Sequence, residues 1–240
     1  DNVLKGQRPN LSGSWASGGN MNTARVDIGG AGTQSAALAF GGENSSGTPV
    51  AITEGYDGST WTELNDLNTA RYGMGGAGTQ TAALGFGGTQ PETDKTESWN
   101  GTNWTEVNDL NDARQLGGSN GTQTSALLYG GTPTPGGTAN TESWNGTNWT
   151  EVNNLNTSRW RLAGTGADNT AALAIGGRAG SWYDNVESWN GTNWTEVNDL
   201  NTAKIALGAS GTNPSALAFG GETSPGAVTG QTEQWNGTNW

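Results

Sequence analysis

"ESWNGTNWTEVNDLN" occupies residues 97–111, recurs with Asn154 in place of Asp109 at 142–156, and recurs unchanged at 187–201. A shorter form, "EQWNGTNW", runs to Trp240. Inside the phrase, "TESW" and "NWTEV" flank an Asn-Gly pair, the strongest short-range hairpin signal. Repetition of this fidelity sets the unit from which the chain is built, and the unit decides the architecture.

Working outward, an apolar run ending in two glycines precedes each phrase: "LAFGG" (Gly41, Gly42), "LGFGG" (Gly87, Gly88), "LLYGG" (Gly130, Gly131), "LAIGG" (Gly176, Gly177) and "LAFGG" (Gly220, Gly221). These pairs are spaced by 46, 43, 46 and 44 residues. Glu54, Glu97, Glu142, Glu187 and Glu233 stand two positions before Tyr56, Trp99, Trp144, Trp189 and Trp235. Five residues beyond those aromatics come Trp61, Trp104, Trp149, Trp194 and Trp240, and ten residues beyond the first four of these come Arg71, Arg114, Arg159 and Lys204. All registers agree on five units of about 45 residues.

One unit reads as four short strands bounded by turn chemistry. "ARYGMGGAG" is a small-residue strand, "GTQ" a turn, and "TAALGFGG" an apolar strand ended by glycines able to take positive φ. After a variable loop the "TESW" and "NWTEV" hairpin follows, and "NDLNTAR" links to the next unit. No segment sustains a helical period. A single four-stranded sheet cannot bury both faces, so neighbouring sheets must stack, and radial closure limits the exposed edges. The expectation is an all-β, five-bladed β-propeller of four-stranded antiparallel blades. Its glycine-rich first strands would line the crowded centre, and its Trp residues would fill the wider periphery.

Composition supports a folded chain. Only 31% of the 240 residues are apolar and 41 are Gly, which alone would suggest disorder, but twelve Trp argue for large buried aromatic area. A net charge of −12 repels phosphate backbones and anionic membranes, so no nucleic-acid partner is expected. Without Cys or His the chain lacks thiol chemistry, disulfides and the commonest zinc ligand and general base. No apolar run has the length of a membrane-spanning helix, and "DNVLKGQRPN" has no signal-peptide pattern.

The order of apolar strand, Gly-Gly, variable loop, Glu-x-aromatic, Trp and Arg resembles the kelch repeat, from about Trp15 to Trp240. The near-identical "WNGTNWTEVNDLNTAR" phrase also resembles kelch-like arrays of marine phage and bacterial surface proteins, which implies a virion or extracellular setting. Tyr56 and Lys204 depart from the pattern without threatening it. The chain is read as one domain, 1–240, with blades at about 24–66, 70–109, 113–154, 158–199 and 203–240. Residues 12–17 are expected to supply the outer strand of the fifth blade, since Trp15 stands ten residues before Arg25, as Trp61 does before Arg71. Trp240 competes for the same slot, and the rival arrangement is a window on a longer array.

Residues present once per blade are most simply answers to a packing problem posed once per blade. The five Glu, with Arg25, Arg71, Arg114, Arg159 and Lys204, are therefore read as structural ion pairs, the alternative being a ring of charge around a central channel that binds an ion. "NDLN" is oxygen-rich but lacks dense calcium-loop spacing, so capping and turn duty is expected and no metal is assigned. Asn-x-Thr, as at Asn100-Gly101-Thr102, is explained by the turn without glycans. No catalytic residue, nucleophile elbow, phosphate loop or cofactor site is found, and no enzymatic activity is expected.

Copies differ most between Gly-Gly and Glu-x-aromatic, at 43–53, 89–96, 132–141, 178–186 and 222–232. Variable loops on a rigid scaffold are where recognition resides. Trp182 and Tyr183 are the chosen contact residues, with Arg178 and Asp184 as polar neighbours, in a pattern suited to sugar rings. The partner expected is a glycan or a surface protein. The alternatives are that Trp182 covers a blade edge and that the propeller is purely structural or protein-docking.

Overall fold

A computed structural model describes residues 15–89, 92–132 and 137–240 of the chain. They form five antiparallel sheets arranged as the blades of a β-propeller, with two further two-stranded ribbons, Arg25–Val26 with Glu43–Asn44 and Glu222–Thr223 with Ala227–Val228, and no helix. Blade 1 comprises Gly29–Thr33, Ala36–Phe40, Thr53–Tyr56 and Trp61–Leu64. Blade 2 comprises Gly75–Thr79, Ala82–Phe86, Thr96–Trp99 and Trp104–Val107, and blade 3 Gly118–Thr122, Ser125–Tyr129, Thr141–Trp144 and Trp149–Val152. Blade 4 comprises Ala163–Asp168, Ala171–Ile175, Val186–Trp189 and Trp194–Val197. Among the described residues blade 5 has three strands, Gly208–Thr212, Ser215–Phe219 and Thr232–Trp235.

Each sheet is a meander whose register follows from its turns. Trp99 faces Trp104 across the outer hairpin, so the loop is the four residues 100–103 rather than a two-residue Asn-Gly turn. Asn100 Oδ1 accepts the amides of Thr102 and Asn103 at 2.9 Å each, tying the loop through a side chain that mimics a backbone turn. The inner strands crowd the axis as their small residues require. A Cβ placed on Gly76 would lie 2.4 Å from the Gly30 carbonyl oxygen of blade 1, and one on Gly164 2.4 Å from the Ser119 amide nitrogen of blade 3.

The Trp residues fill the periphery between blades. Trp104 packs on Phe40 of the preceding blade with ring centroids 4.9 Å apart, Trp149 on Phe86 at 4.8 Å, and Trp194 on Tyr129 at 4.7 Å. Each indole N–H also reaches back one blade: Trp104 to Thr53 Oγ1 at 3.0 Å, Trp149 to Thr96 at 3.0 Å, and Trp194 to Thr141 at 3.1 Å. At the fourth junction the acceptor position is Val186, and the buried Trp240 Nε1 has no partner. Val186→Thr restores the missing acceptor, and is expected to raise stability by about 1 kcal/mol, the net worth of a buried hydrogen bond. Urea denaturation would read this as a higher midpoint at unchanged slope.

The closing segment expected at 12–17 is described only in part. Residues 12–14 lie outside the described residues, and 15–17 carry no strand. The end of the blade 5 hairpin is Trp240, whose ring lies 5.4 Å from Trp235, as Trp104 lies 5.4 Å from Trp99. Trp15 instead stands 71% exposed beside Phe219, at a ring distance of 5.1 Å.

Candidate functional site

The repeated acids and bases meet once per blade. Arg25 and Glu54, Arg71 and Glu97, Arg114 and Glu142, Arg159 and Glu187, and Lys204 and Glu233 pair at 2.7–3.1 Å, nearly all with buried side chains. The local sequence places them. Arg71 Nη1 donates to the Gly87 and Lys95 carbonyls at 2.8 and 2.6 Å, while Glu97 Oε2 accepts the backbone and side-chain amides of Asn68 at 2.8 and 2.7 Å. Each pair thus ties the incoming link to the next blade. Burial alone would raise the Glu54 carboxyl, but the hydrogen bonds from Asn22 and the charge of Arg25 leave it below the ordinary carboxylate value. Glu233 is lowered likewise, with burial outweighed by Lys204 and Asn201. Burial pushes the Arg71, Arg114 and Arg159 guanidinium groups downward, against the pull of the facing glutamates.

The "NDLN" side chains also have structural partners. Asp109 Oδ1 accepts the Thr96 amide at 2.9 Å, and Asn154 Oδ1 accepts the Thr141 amide at 3.1 Å. Since only one oxygen is used, the Asn154 amide oxygen keeps the contact that Asp109 makes. Asn108 Nδ2 donates to the Thr147 carbonyl and to Asn148 Oδ1 in the next blade's hairpin.

The variable loops and the links share one face, because the amides of Leu67, Leu110, Leu155 and Leu200 donate at 3.0 Å to the carbonyls of Ala51, Asp94, Ala139 and Asp184. Residues 90–91 of the second loop and 133–136 of the third lie outside the described residues. On the axis of this face is a cavity of about 220 Å³ lined by Asp27, Gly73, Leu116, Arg161, Ala206 and the residues that follow each. The five named residues stand two places after the paired bases and all hold positive φ, between 50° and 66°. Only one is glycine, so four carry the strain of a left-handed conformation with a side chain, a feature that gathers at ligand-binding sites. They are held by backbone bonds running blade to blade: Gly73 N to Asp27 O at 2.8 Å, Leu116 N to Gly73 O at 2.7 Å, Arg161 N to Leu116 O at 2.8 Å, and Ala206 N to Arg161 O at 2.9 Å. Among the described residues lining the cavity only Asp27 and Arg161 are charged, and the buried ion pairs do not contribute to it.

Beside the cavity, blade 4 carries an arginine–aromatic stack. Arg178 lies over Trp182 at 4.6 Å and over Trp160 at 5.4 Å, and Arg161 lies over Trp160 at 5.3 Å. Trp160 pairs with Arg178, and Arg178 with Trp182, as isolated antiparallel bridges. Guanidinium over indole is worth about 0.5–2 kcal/mol and holds both groups in place. Within this stack Arg161 Nε, Arg178 Nε and Trp182 Nε1 are buried donors without a partner among the described residues. No known protein family and no curated protein matches the chain.

Of the four residues singled out by sequence variation, the structure brings Arg178 and Trp182 together. Tyr183 adjoins them, but its backbone belongs to the repeated frame: its amide donates to Gly177 O at 2.8 Å and its carbonyl accepts from Lys204 N at 3.2 Å, as Thr138 does with Gly131 and Arg159. Asp184 is exposed and its carbonyl receives Leu200 N. Sequence reasoning missed Trp160 and Arg161, which complete the stack and connect it to the cavity. Their signal lay in the pair after each base, which changes at every copy: Val26-Asp27, Tyr72-Gly73, Gln115-Leu116, Trp160-Arg161 and Ile205-Ala206.

Proposed function

We propose that the chain is a non-catalytic recognition module that binds carbohydrate on the face bearing the variable loops, at the stack of Trp160, Arg178 and Trp182 and the adjoining axial cavity. The observation that carries this reading is the stack of Arg161, Trp160, Arg178 and Trp182 on the face of the variable loops, which has no counterpart on the other blades among the described residues. Guanidinium groups held in place by stacking offer donors to a ligand rich in hydroxyl or carboxylate oxygens. Aromatic surface beside them suits the apolar face of a sugar ring, and binding sites combine apolar walls with a few convergent polar groups. A virion fibre or an extracellular surface is the setting expected, on the strength of the repeat's resemblance to kelch-like arrays.

A glycan array probed with the whole chain tests the reading. At least one glycan should be retained, and Trp182→Ala should weaken it tenfold or more, about 1.4 kcal/mol, while the chain stays folded with only a small loss of melting temperature. The second reading, a docking or structural propeller with no small ligand, draws on Arg178 already covering one face of Trp182. Silence across the array would favour it.

A further inference from the structure

We propose that the junction between blade 5 and blade 1 is the seat of a sixth blade, folded from a further copy of the chain's own repeat, with Trp15 as its outer tryptophan. Four junctions share one set of contacts, and the fifth lacks all of them among the described residues. At the four, the second glycine of each pair donates to the paired base of the next blade: Gly42, Gly88, Gly131 and Gly177 to the carbonyls of Arg71, Arg114, Arg159 and Lys204, each at 2.9 Å. Gly221 has no such bond to Arg25. The chain of left-handed residues around the axis runs from Asp27 to Ala206 and stops, for the Asp27 amide does not donate to the Ala206 carbonyl.

Side chains repeat the pattern. Gln80, Gln123, Asn169 and Asn213 each reach the preceding blade, at Tyr56 O, Trp99 O, Trp144 O and Ser188 Oγ, whereas Gln34 at the same position in blade 1 is exposed. Among the described residues both walls of the gap are more exposed than their counterparts. Leu217 of blade 5 is 36% exposed where Leu38, Leu84, Leu127 and Leu173 are at most 1%, and Ile28 of blade 1 is 36% exposed where Met74, Leu162 and Leu207 are at most 8%. A Cβ on Gly41, Gly87, Gly130 or Gly176 would meet the next blade's carbonyl oxygen at 2.5–2.6 Å, but one on Gly220 meets nothing nearer than 3.8 Å.

Trp15 identifies the occupant. Elsewhere the outer Trp of one blade packs on the second-strand aromatic of the blade before it, as Trp104 does on Phe40. Trp15 packs on Phe219 of blade 5 in the same manner, while the link that follows it delivers Asn22 and Arg25 to Glu54 of blade 1. It therefore stands one position after blade 5 and one before blade 1. Among the described residues the position lacks the inner three strands, whose faces must match Leu217 and Phe219 on one side and Ile28 on the other. The repeat itself has those faces, since it makes the same fit at four junctions.

Hydrogen exchange on the chain as it stands gives the first test: the amides of Gly221 and Asp27 should exchange fast while those of Gly42, Gly88, Gly131 and Gly177 are protected. Protection of Gly221 and Asp27 in the monomer would show the gap already closed and overturn the proposal. Appending a copy of residues 195–236 after Trp240 supplies the outer strand of blade 5 and the three missing strands. The extended chain should be monomeric, melt at a higher temperature and protect Gly221 and Asp27, whereas the same extension with a scrambled order should not. An unchanged melting temperature and unprotected amides would reject the repeat as occupant. Micromolar dimerisation of the unextended chain with protection of Gly221 would assign the seat to a second copy instead.

Discussion

Glu97→Gln is expected to lower the stability of the folded chain by about 3–5 kcal/mol, the cost of breaking a buried ion pair from one side. The Arg71 guanidinium is 1% exposed and would lose its paired anion, 3.0 Å away. Gln cannot replace the carboxylate by hydrogen bonding, because both Glu97 oxygens accept. Oε1 receives Arg71 Nη2, and Oε2 receives two donors from Asn68. Whichever way the amide turns, its NH2 group faces another donor. Equilibrium denaturation in urea measures the loss, and a change below about 1 kcal/mol would show the pair to be dispensable. The same network gives an acid limit. Glu54 and Glu233 are held below their ordinary value, so their contribution is full above the unfolded carboxylate pKa of about 4.3 and is lost as pH falls through the lower folded values. The melting temperature should therefore fall steeply below about pH 4.

The five-bladed fold was legible because the signals that define it are periodic. Trp99, Trp104, Gly87 and Gly88 each recur in register, and a one-residue error in any strand would have turned its buried face outward. The ion pairs were legible for the same reason: Arg71 and Glu97 recur at a fixed separation that only a shared contact explains. What escaped was the direction of contact between blades. Gln80 read as part of a turn, yet its side chain crosses to Tyr56 O of the blade before, a destination no local pattern specifies. The position of Trp15 escaped similarly, since its spacing from Arg25 places it in an outer strand without stating which neighbour it meets. Of the candidate site, Trp182 and Arg178 were visible as departures from the repeat, whereas Trp160 and Arg161 were hidden by standing next to Arg159, a position of the repeated frame. Their proximity to Arg178 arises only when the link and the variable loop meet on one face.

Trp149→Ala is expected to cost about 3–5 kcal/mol, and the same substitution at Trp61 distinctly less. Trp149 is 5% exposed, seated edge-on against Phe86 at 4.8 Å and beside Trp144 at 5.4 Å, and its N–H satisfies Thr96 Oγ1. Truncation leaves a cavity between blades 2 and 3 that flanking strands cannot fill, because their backbones are fixed by the Gly88–Arg114 bond on one side and the hairpin on the other. Trp61 has the identical place in its own blade but faces the open junction. It stacks on Tyr56 at 5.0 Å and donates to the Gly19 carbonyl at 3.1 Å, and it remains partly exposed. Water already reaches that side, so its loss removes less buried area and leaves no enclosed void. The difference between the two substitutions, read from denaturation midpoints, measures how much of a blade's stability comes from its neighbour rather than from its own sheet. Equal costs would mean that the junction between blades 5 and 1 is as tightly packed as the other four.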